Sequence, residues 1–211
     1  MKTLLINVEN ILTDYVPQAI HFWQSKANEI NHPLPDDFIE SFLSAGPEMQ
    51  EKTFFRFPHF KQFAHESDQL LFDVHQQVND DNLTIQKLLQ LKQKHNLNIG
   101  FIYDQKKAQA QHIATYLEDK FNPIIQLYQD DAFLGKPEAN ILSKARALCQ
   151  LKANDTLVLD ASKNGILAAF LANMRGIYLD KGCGVSERVF KYSYRMLEDV
   201  AQLEDTITQH Q

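Results

Sequence analysis

Five short apolar runs punctuate the chain, at residues 4–8, 97–103, 123–127, 156–159 and 176–179. The first, Leu4-Leu5-Ile6-Asn7-Val8, is nearly continuous rather than alternating, as in a strand covered on both faces. Between the runs apolar residues recur at helical spacing. Ile85, Leu88 and Leu89, behind a capping Asp81 or Asn82, predict one helix, and Ala110, Ile113, Ala114 and Leu117 predict a second. Ile141, Ala145 and Leu148 predict a third, and Ile166, Ala169, Phe170 and Met174 a fourth. Strand and helix in alternation imply right-handed βαβ units and a parallel sheet with helices on both faces, an α/β Rossmann-like core. A last stripe, Val189, Tyr192, Met196, Val200 and Leu203, predicts a terminal helix over 186–211, whose apolar face could equally support a dimer.

Residues 14–80 break the alternation. They contain helical patterns, prolines at 33, 35, 47 and 58, and a crowd of aromatics including Phe22, Trp23, Phe42, Phe54, Phe55, Phe57 and Phe60. This stretch predicts a helical cap inserted into an α/β core made of residues 1–13 and 81–211.

At 211 residues the chain can bury a core without disulfides or a structural metal. A formal net charge of −6 and the lack of any lysine- or arginine-rich run exclude broad nucleic-acid or anionic-membrane binding. No stretch approaches membrane-spanning length, and the N-terminal apolar run is too short for a signal peptide. Cys149 and Cys183 fit no metal-ligand spacing. Free thiols in the cytoplasm is the simple reading, and a disulfide between them stays open.

Ligands of such sheets bind beyond the carboxyl ends of the strands. That rule singles out Asn7 and Glu9, Tyr103 and Asp104, and Asp160 onward.

The order of these features resembles the haloacid dehalogenase superfamily, in its capped phosphatase and phosphoglucomutase-like branch, over essentially the whole chain. Asn7-Val8-Glu9-Asn10-Ile11-Leu12 stands where members have Asp-x-Asp-Gly-Thr-Leu. Gly135-Lys136-Pro137-Glu138, opening a helix, matches the lysine motif, and Leu157-Val158-Leu159-Asp160-Ala161-Ser162 matches the acidic fourth motif. The resemblance implies a phosphoryl-transfer site in which the first aspartate attacks phosphorus and the second is the acid and base. A hydroxyl and a lysine hold the phosphoryl oxygens, and acidic residues bind magnesium.

The chain departs from that pattern at several places. Asn7 takes the nucleophile position with an amide, which is uncharged and a poor nucleophile. Glu9 replaces the acid/base aspartate on a longer stem. Tyr103 takes the hydroxyl position, with Asp104 adding negative charge beside it. Lys136 is retained, and Asp160 is the only acid of its motif, because Asn164 and Gly165 follow. A Mg2+ site from Asn7, the Glu9 backbone carbonyl and Asp160 would be weak, since affinity rises with ligand charge. Arg56, in Phe54-Phe55-Arg56-Phe57, is a candidate for meeting an anionic substrate from the cap, or simply the rim of the cap's own core. Histidines 59, 65 and 75 have no zinc-site spacing.

The expected function is a catalytically impaired, phosphatase-like protein that binds a small phosphorylated ligand or a protein partner, as monomer or homodimer. An active phosphomonoester hydrolase or phosphosugar mutase using Glu9, Lys136 and Asp160, and a purely structural or regulatory interaction protein, are the alternatives.

Overall fold

The computed structural model describes residues 2–43, 45, 47–132, 134–181 and 187–209. Among them, six parallel strands form one sheet in the order β3-β2-β1-β4-β5-β6. These are β1 (Thr3–Asn7), β2 (Asn98–Ile102), β3 (Ile125–Leu127), β4 (Thr156–Asp160), β5 (Arg175–Leu179) and β6 (Arg195–Leu197). All five residues of β1 are buried, because β1 pairs with β2 on one edge and β4 on the other. Side chains alternate across a strand. Leu4 and Ile6 therefore join one core, with Ile85, Leu88, Ile113 and Leu117, while Leu5 joins the opposite one, with Ile141, Ala145, Val158 and Ala169. Each such fully buried Leu or Ile contributes about 1.5–3 kcal/mol relative to an exposed one.

Helix ends follow local chemistry. The helix Leu83–His95 starts where the Asn82 side chain accepts from the Ile85 N–H at 3.1 Å. It stops at Asn96 in the left-handed conformation, and the next helix, Lys107–Phe121, stops likewise at Asn122. Labelled in chain order, the helices are α1 (Val8–Ile11), α2 (Tyr15–Glu29), α3 (Asp36–Leu43), α4 (Pro47–Arg56), α5 (Ala64–Gln76), α6 (Leu83–His95), α7 (Lys107–Phe121), α8 (Asn140–Cys149), α9 (Lys163–Leu171), α10 (Glu187–Tyr192) and α11 (Leu203–Gln209).

The described residues between Asp14 and Asp80 contain α2 to α5 and a 3-10 turn, Pro58–Phe63, and no strand. Their aromatics pack on one another. Trp23 meets Phe42 edge-on at 5.5 Å and lies 6.1 Å from Phe60, in a core separate from those on the sheet.

Three sequence expectations need correcting. The tail is not one helix: α10 gives way to β6, which carries Met196 as the sheet's edge strand, and only then does α11 form. Edge strands as short as three residues carry too little period-2 signal to stand out from a helical stripe. Leu148 and Phe170 sit on predicted apolar stripes yet are 63% and 49% exposed. Lys136 precedes its helix by a turn rather than opening it, for α8 starts at Asn140. Cys149 is a free thiol, and Cys183 lies outside the described residues.

Candidate functional site

The carboxyl ends of β1, β2 and β4 lie side by side at the centre of the sheet, where the strand order reverses. They bring Asn7, Asp104 and Asp160 together, and the loop between β3 and α8 adds Lys136. All four side chains are buried.

The Lys136 ammonium sits between two carboxylates, 2.9 Å from Asp104 Oδ1 and 2.7 Å from Asp160 Oδ2. Burial alone would lower its pKa, but the Asp104 and Asp160 charges win and raise it, so this lysine stays charged. Asn7 closes the group by donating from Nδ2 to Asp104 Oδ2 at 2.8 Å. An aspartate at position 7 would place a carboxylate where an amide N–H now meets a carboxylate; the asparagine fits Asp104 and an aspartate would repel it. Burial raises the Asp104 pKa, and Lys136 and Asn7 oppose that rise.

Asp160 is seated by its own backbone neighbourhood. Its Oδ1 accepts from the Ser162 N–H at 2.8 Å, at the start of α9, whose N-terminus favours negative charge. Gly165 is required here: a Cβ on it would fall 1.9 Å from Asp160 Oδ2. The position where the resemblance expects a second acid is thus filled by the carboxylate of the first.

Glu9, in α1, borders this cluster. Its Oε2 accepts from the Asp104 N–H at 3.0 Å, and its Oε1 has no hydrogen-bond partner among the described residues. His75 Nε2 of α5 lies 3.9 Å from Glu9 Oε1, and both His75 nitrogens also lack partners among the described residues. Burial, then the Asp104 charge, push the Glu9 pKa up to about 8, while burial and His112 push His75 down to about 4. Both groups are therefore neutral near pH 7.

Two candidates do not join the cluster. The Tyr103 hydroxyl donates to Gln126 Oε1 at 2.5 Å and its ring stacks on Tyr128 at 4.7 Å, so it faces the core rather than a phosphate oxygen. Arg56 ends α4 on the cap surface, exposed, with its guanidinium 5.4 Å from the Phe57 ring.

Space is equally restrictive. The cavity beside Lys136, bounded by Ala45 of the cap and by Asp104, Gln129 and Ile141, has a volume of about 10 Å³. That is room for one water molecule at most. The donor set does not fit magnesium either. Asp160 spends its oxygens on Lys136 and Ser162, the Glu9 carbonyl accepts from Thr13 Oγ1 at 2.5 Å, and Asn7 brings no charge. Among the described residues no three of His, Cys, Asp and Glu converge as metal ligands.

His75, the counterpart of Glu9, carries a sequence signal only in hindsight. It lies on the buried stripe of α5 with Ser67, Leu71 and Val74, a polar residue at a core position. The direct Asp104–Lys136 contact has none, because nothing local relates the end of β2 to the loop after β3.

A doubly wound parallel sheet, a crevice at its switch point and a helical insert after the first strand define an α/β protein with a Rossmann-like core. Comparison with solved structures agrees along the full length. A hydrolase from Pseudomonas syringae superposes with a TM-score of 0.78 at 19% identity, covering 99% of both chains. A β-phosphoglucomutase from Clostridium difficile gives 0.75 at 16%, covering 100% of this chain and 96% of that one. A haloacid dehalogenase-like hydrolase from Bacteroides fragilis gives 0.73 at 16%, covering 96% and 99%. No family model and no curated protein matches. The chain thus has the fold of the haloacid dehalogenase superfamily. No helix among the described residues is long and apolar enough to cross a membrane.

Proposed function

We propose that this chain is a non-catalytic member of the haloacid dehalogenase fold, in which the former phosphoryl-transfer crevice serves as a sealed ion-pair core and the protein acts by binding. The observation that carries this reading is Lys136 held between Asp104 and Asp160, with Asn7 donating to Asp104. Two of the three Lys136 ammonium donors already face carboxylates, so the group as a whole offers an incoming phosphate more negative than positive charge. Attack on phosphorus needs an anion at position 7, and an amide nitrogen points at Asp104 instead. The cavity of about 10 Å³ leaves no place for a phosphoryl group while the cap is closed.

One observation favours a second reading. Glu9, with its pKa raised to about 8, has the proton affinity a general acid needs near neutrality. A cap that opened far enough to admit a phosphate ester would expose it, leaving Glu9, Lys136 and Asp160 as the residues of a divergent hydrolase or mutase.

Hydrolysis assays separate the two. Purified native protein and Asn7→Asp are assayed with magnesium against an aryl phosphate and a panel of sugar phosphates, with Lys136→Ala as background control. The expected result is no native turnover above that control. Native turnover that disappears in both Glu9→Gln and Lys136→Ala overturns the proposal in favour of the second reading.

A further inference from the structure

At the end of the sheet opposite the crevice lies an apolar surface that the site does not use. α9 starts beside Asp160, at the carboxyl end of β4, and runs back along the sheet. Its last residues, Phe170 and Leu171, therefore reach the amino ends of the strands, near the end of α10 and the start of β6. Val189 of α10 packs inward with Ile166 and Tyr178, and the Tyr192 ring lies 4.7 Å from Phe170. Phe190 stands on the other flank of α10, about 200° around the helix from Tyr192. Met196 of β6 pairs with Tyr178, so it and Tyr194 project on the same side of the sheet. Phe170, Leu171, Phe190, Tyr194 and Met196 are 36–76% exposed, and they make up half of the large apolar side chains exposed among the described residues.

Size and charge decide what covers this patch. Scaled by exposure, its five side chains present about 500 Å² per copy, taking about 200 Å² for a whole side chain. Two such patches remove about 1,000 Å² from water, the area a specific interface has to clear. The chain carries a net charge of −6, so copies repel one another through most of their surface. Here cations edge the aromatics instead: Arg175 lies 4.9 Å from the Tyr194 ring, and Lys191 lies 5.4 Å from the Tyr192 ring. Glu187 and Lys191 fall two residues either side of the buried Val189, and so share the outward crest of α10 one turn apart. A two-fold axis across α10 sets two copies antiparallel. Each Glu187 then lies over the other copy's Lys191, and Phe190 meets its own counterpart. A parallel arrangement, or a wholly acidic partner, sets like charges together on that crest.

We propose that this patch is a homodimer interface, with α9, α10 and β6 packed face to face on the same elements of a second copy. Because it lies at the amino ends of the strands, dimerisation leaves both caps free. The dimer then carries two equivalent binding faces and holds a multivalent partner by both at once. This inference goes beyond the non-catalytic reading and does not depend on it.

Sedimentation equilibrium of the full chain, from micromolar to submillimolar concentration, tests it. The native protein is expected to form a species of twice the 24.4 kDa chain mass. Phe190→Glu places a charge on a side chain already in water, so the fold should keep its circular-dichroism spectrum while the dimer weakens at least tenfold. Glu187→Lys and Lys191→Glu are each expected to weaken the dimer severalfold, and the double reversal to restore it. Phe55→Glu, at an exposed position on the cap, should leave the dimer unchanged.

A monomer throughout that range overturns the proposal and leaves the patch to a different protein. A dimer that Phe190→Glu leaves intact, or that Phe55→Glu dissociates, also overturns it. Charge reversals that do not restore one another overturn the antiparallel pairing on which it stands.

Discussion

Two buried polar groups lie against each other at the cap boundary, and they are built on opposite principles. Around Lys136 the opposed charges and the Asn7 amide converge within 2.7–2.9 Å. Around Glu9 and His75, a few ångströms away, three buried polar atoms lack partners and both residues are held neutral. Glu9 belongs to both regions, because its other oxygen takes the Asp104 N–H. The contrast shows what buried position and charge separately cost. A buried charge persists only where opposite charge comes with it; a buried ionisable group without that partner gives up its charge instead. Lys136 follows the first course and Glu9 the second.

Removing the ammonium breaks the satisfied half most severely. Lys136→Met keeps the stem length but leaves Asp104 and Asp160 facing each other without a cation. Stranding one partner of a buried pair costs about 3–5 kcal/mol. The expected result is a loss of that size in urea unfolding, and adding Asp104→Asn to the same protein should recover part of it. If Lys136→Met alone cost less than about 1 kcal/mol, water would have to reach this cluster in solution.

The unsatisfied half is probed by pH. Glu9 has a pKa raised from 4.5 to about 8, so the folded state holds a proton that the unfolded chain releases. Its contribution is fully present below pH 4.5 and is lost as pH rises through 8. His75 is depressed from 6.5 to about 4, so its contribution is present above 6.5 and lost as pH falls through 4. Between pH 4.5 and 6.5 the unfolded chain keeps the His75 proton and the folded protein the Glu9 proton, and these two contributions cancel. From pH 6.5 to 8 only the Glu9 contribution changes. Stability should then fall by about 2 kcal/mol, at 1.36 kcal/mol per pH unit for one proton. Glu9→Gln should be flat over that interval. Urea midpoints at several pH values check this, and a native curve flat from 6.5 to 8 would mean that Glu9 is ionised when folded.

The same contrast explains what could be read without the structure. The parallel strands β1 to β5 were legible because each is a short, nearly unbroken apolar run, and their carboxyl ends located Asn7, Asp104 and Asp160. β6 was not, since three residues at a sheet edge look like part of a helical stripe. At the site, residue types were legible and pairings were not. The sequence shows Asp104 as a negative charge that would oppose phosphate, but only the sheet order brings it onto Lys136. Tyr103 stood at a hydroxyl position by alignment, yet a ring of its size is better placed against Tyr128, and strand geometry fixes which of Tyr103 and Asp104 faces the crevice. Gly165 read as a lost acid. Its absent side chain is the space that Asp160 occupies.

The smallest expected effect isolates His75. Leucine has nearly the same volume and no polar atoms, so His75→Leu removes two unpartnered nitrogens from a site that is 1% exposed. Leaving such groups unpaired costs stability, and replacing them by an apolar side chain of similar shape is neutral or favourable. At pH 7 the variant should gain about 1 kcal/mol, a rise of roughly 2–4 °C in Tm for a chain of this length. Between pH 4.5 and 6.5 its profile should acquire a slope, because without the imidazole the Glu9 contribution is no longer cancelled and stability rises as pH falls through that interval. A loss of more than about 1 kcal/mol would carry the opposite lesson. It would mean that the protonated Glu9 carboxyl closes the 3.9 Å gap and donates to His75 Nε2, so that the corner joins cap to core by a real hydrogen bond. A double-mutant cycle of His75→Leu with Glu9→Met then tells the two apart, since only a bond between the two side chains makes their losses clearly non-additive.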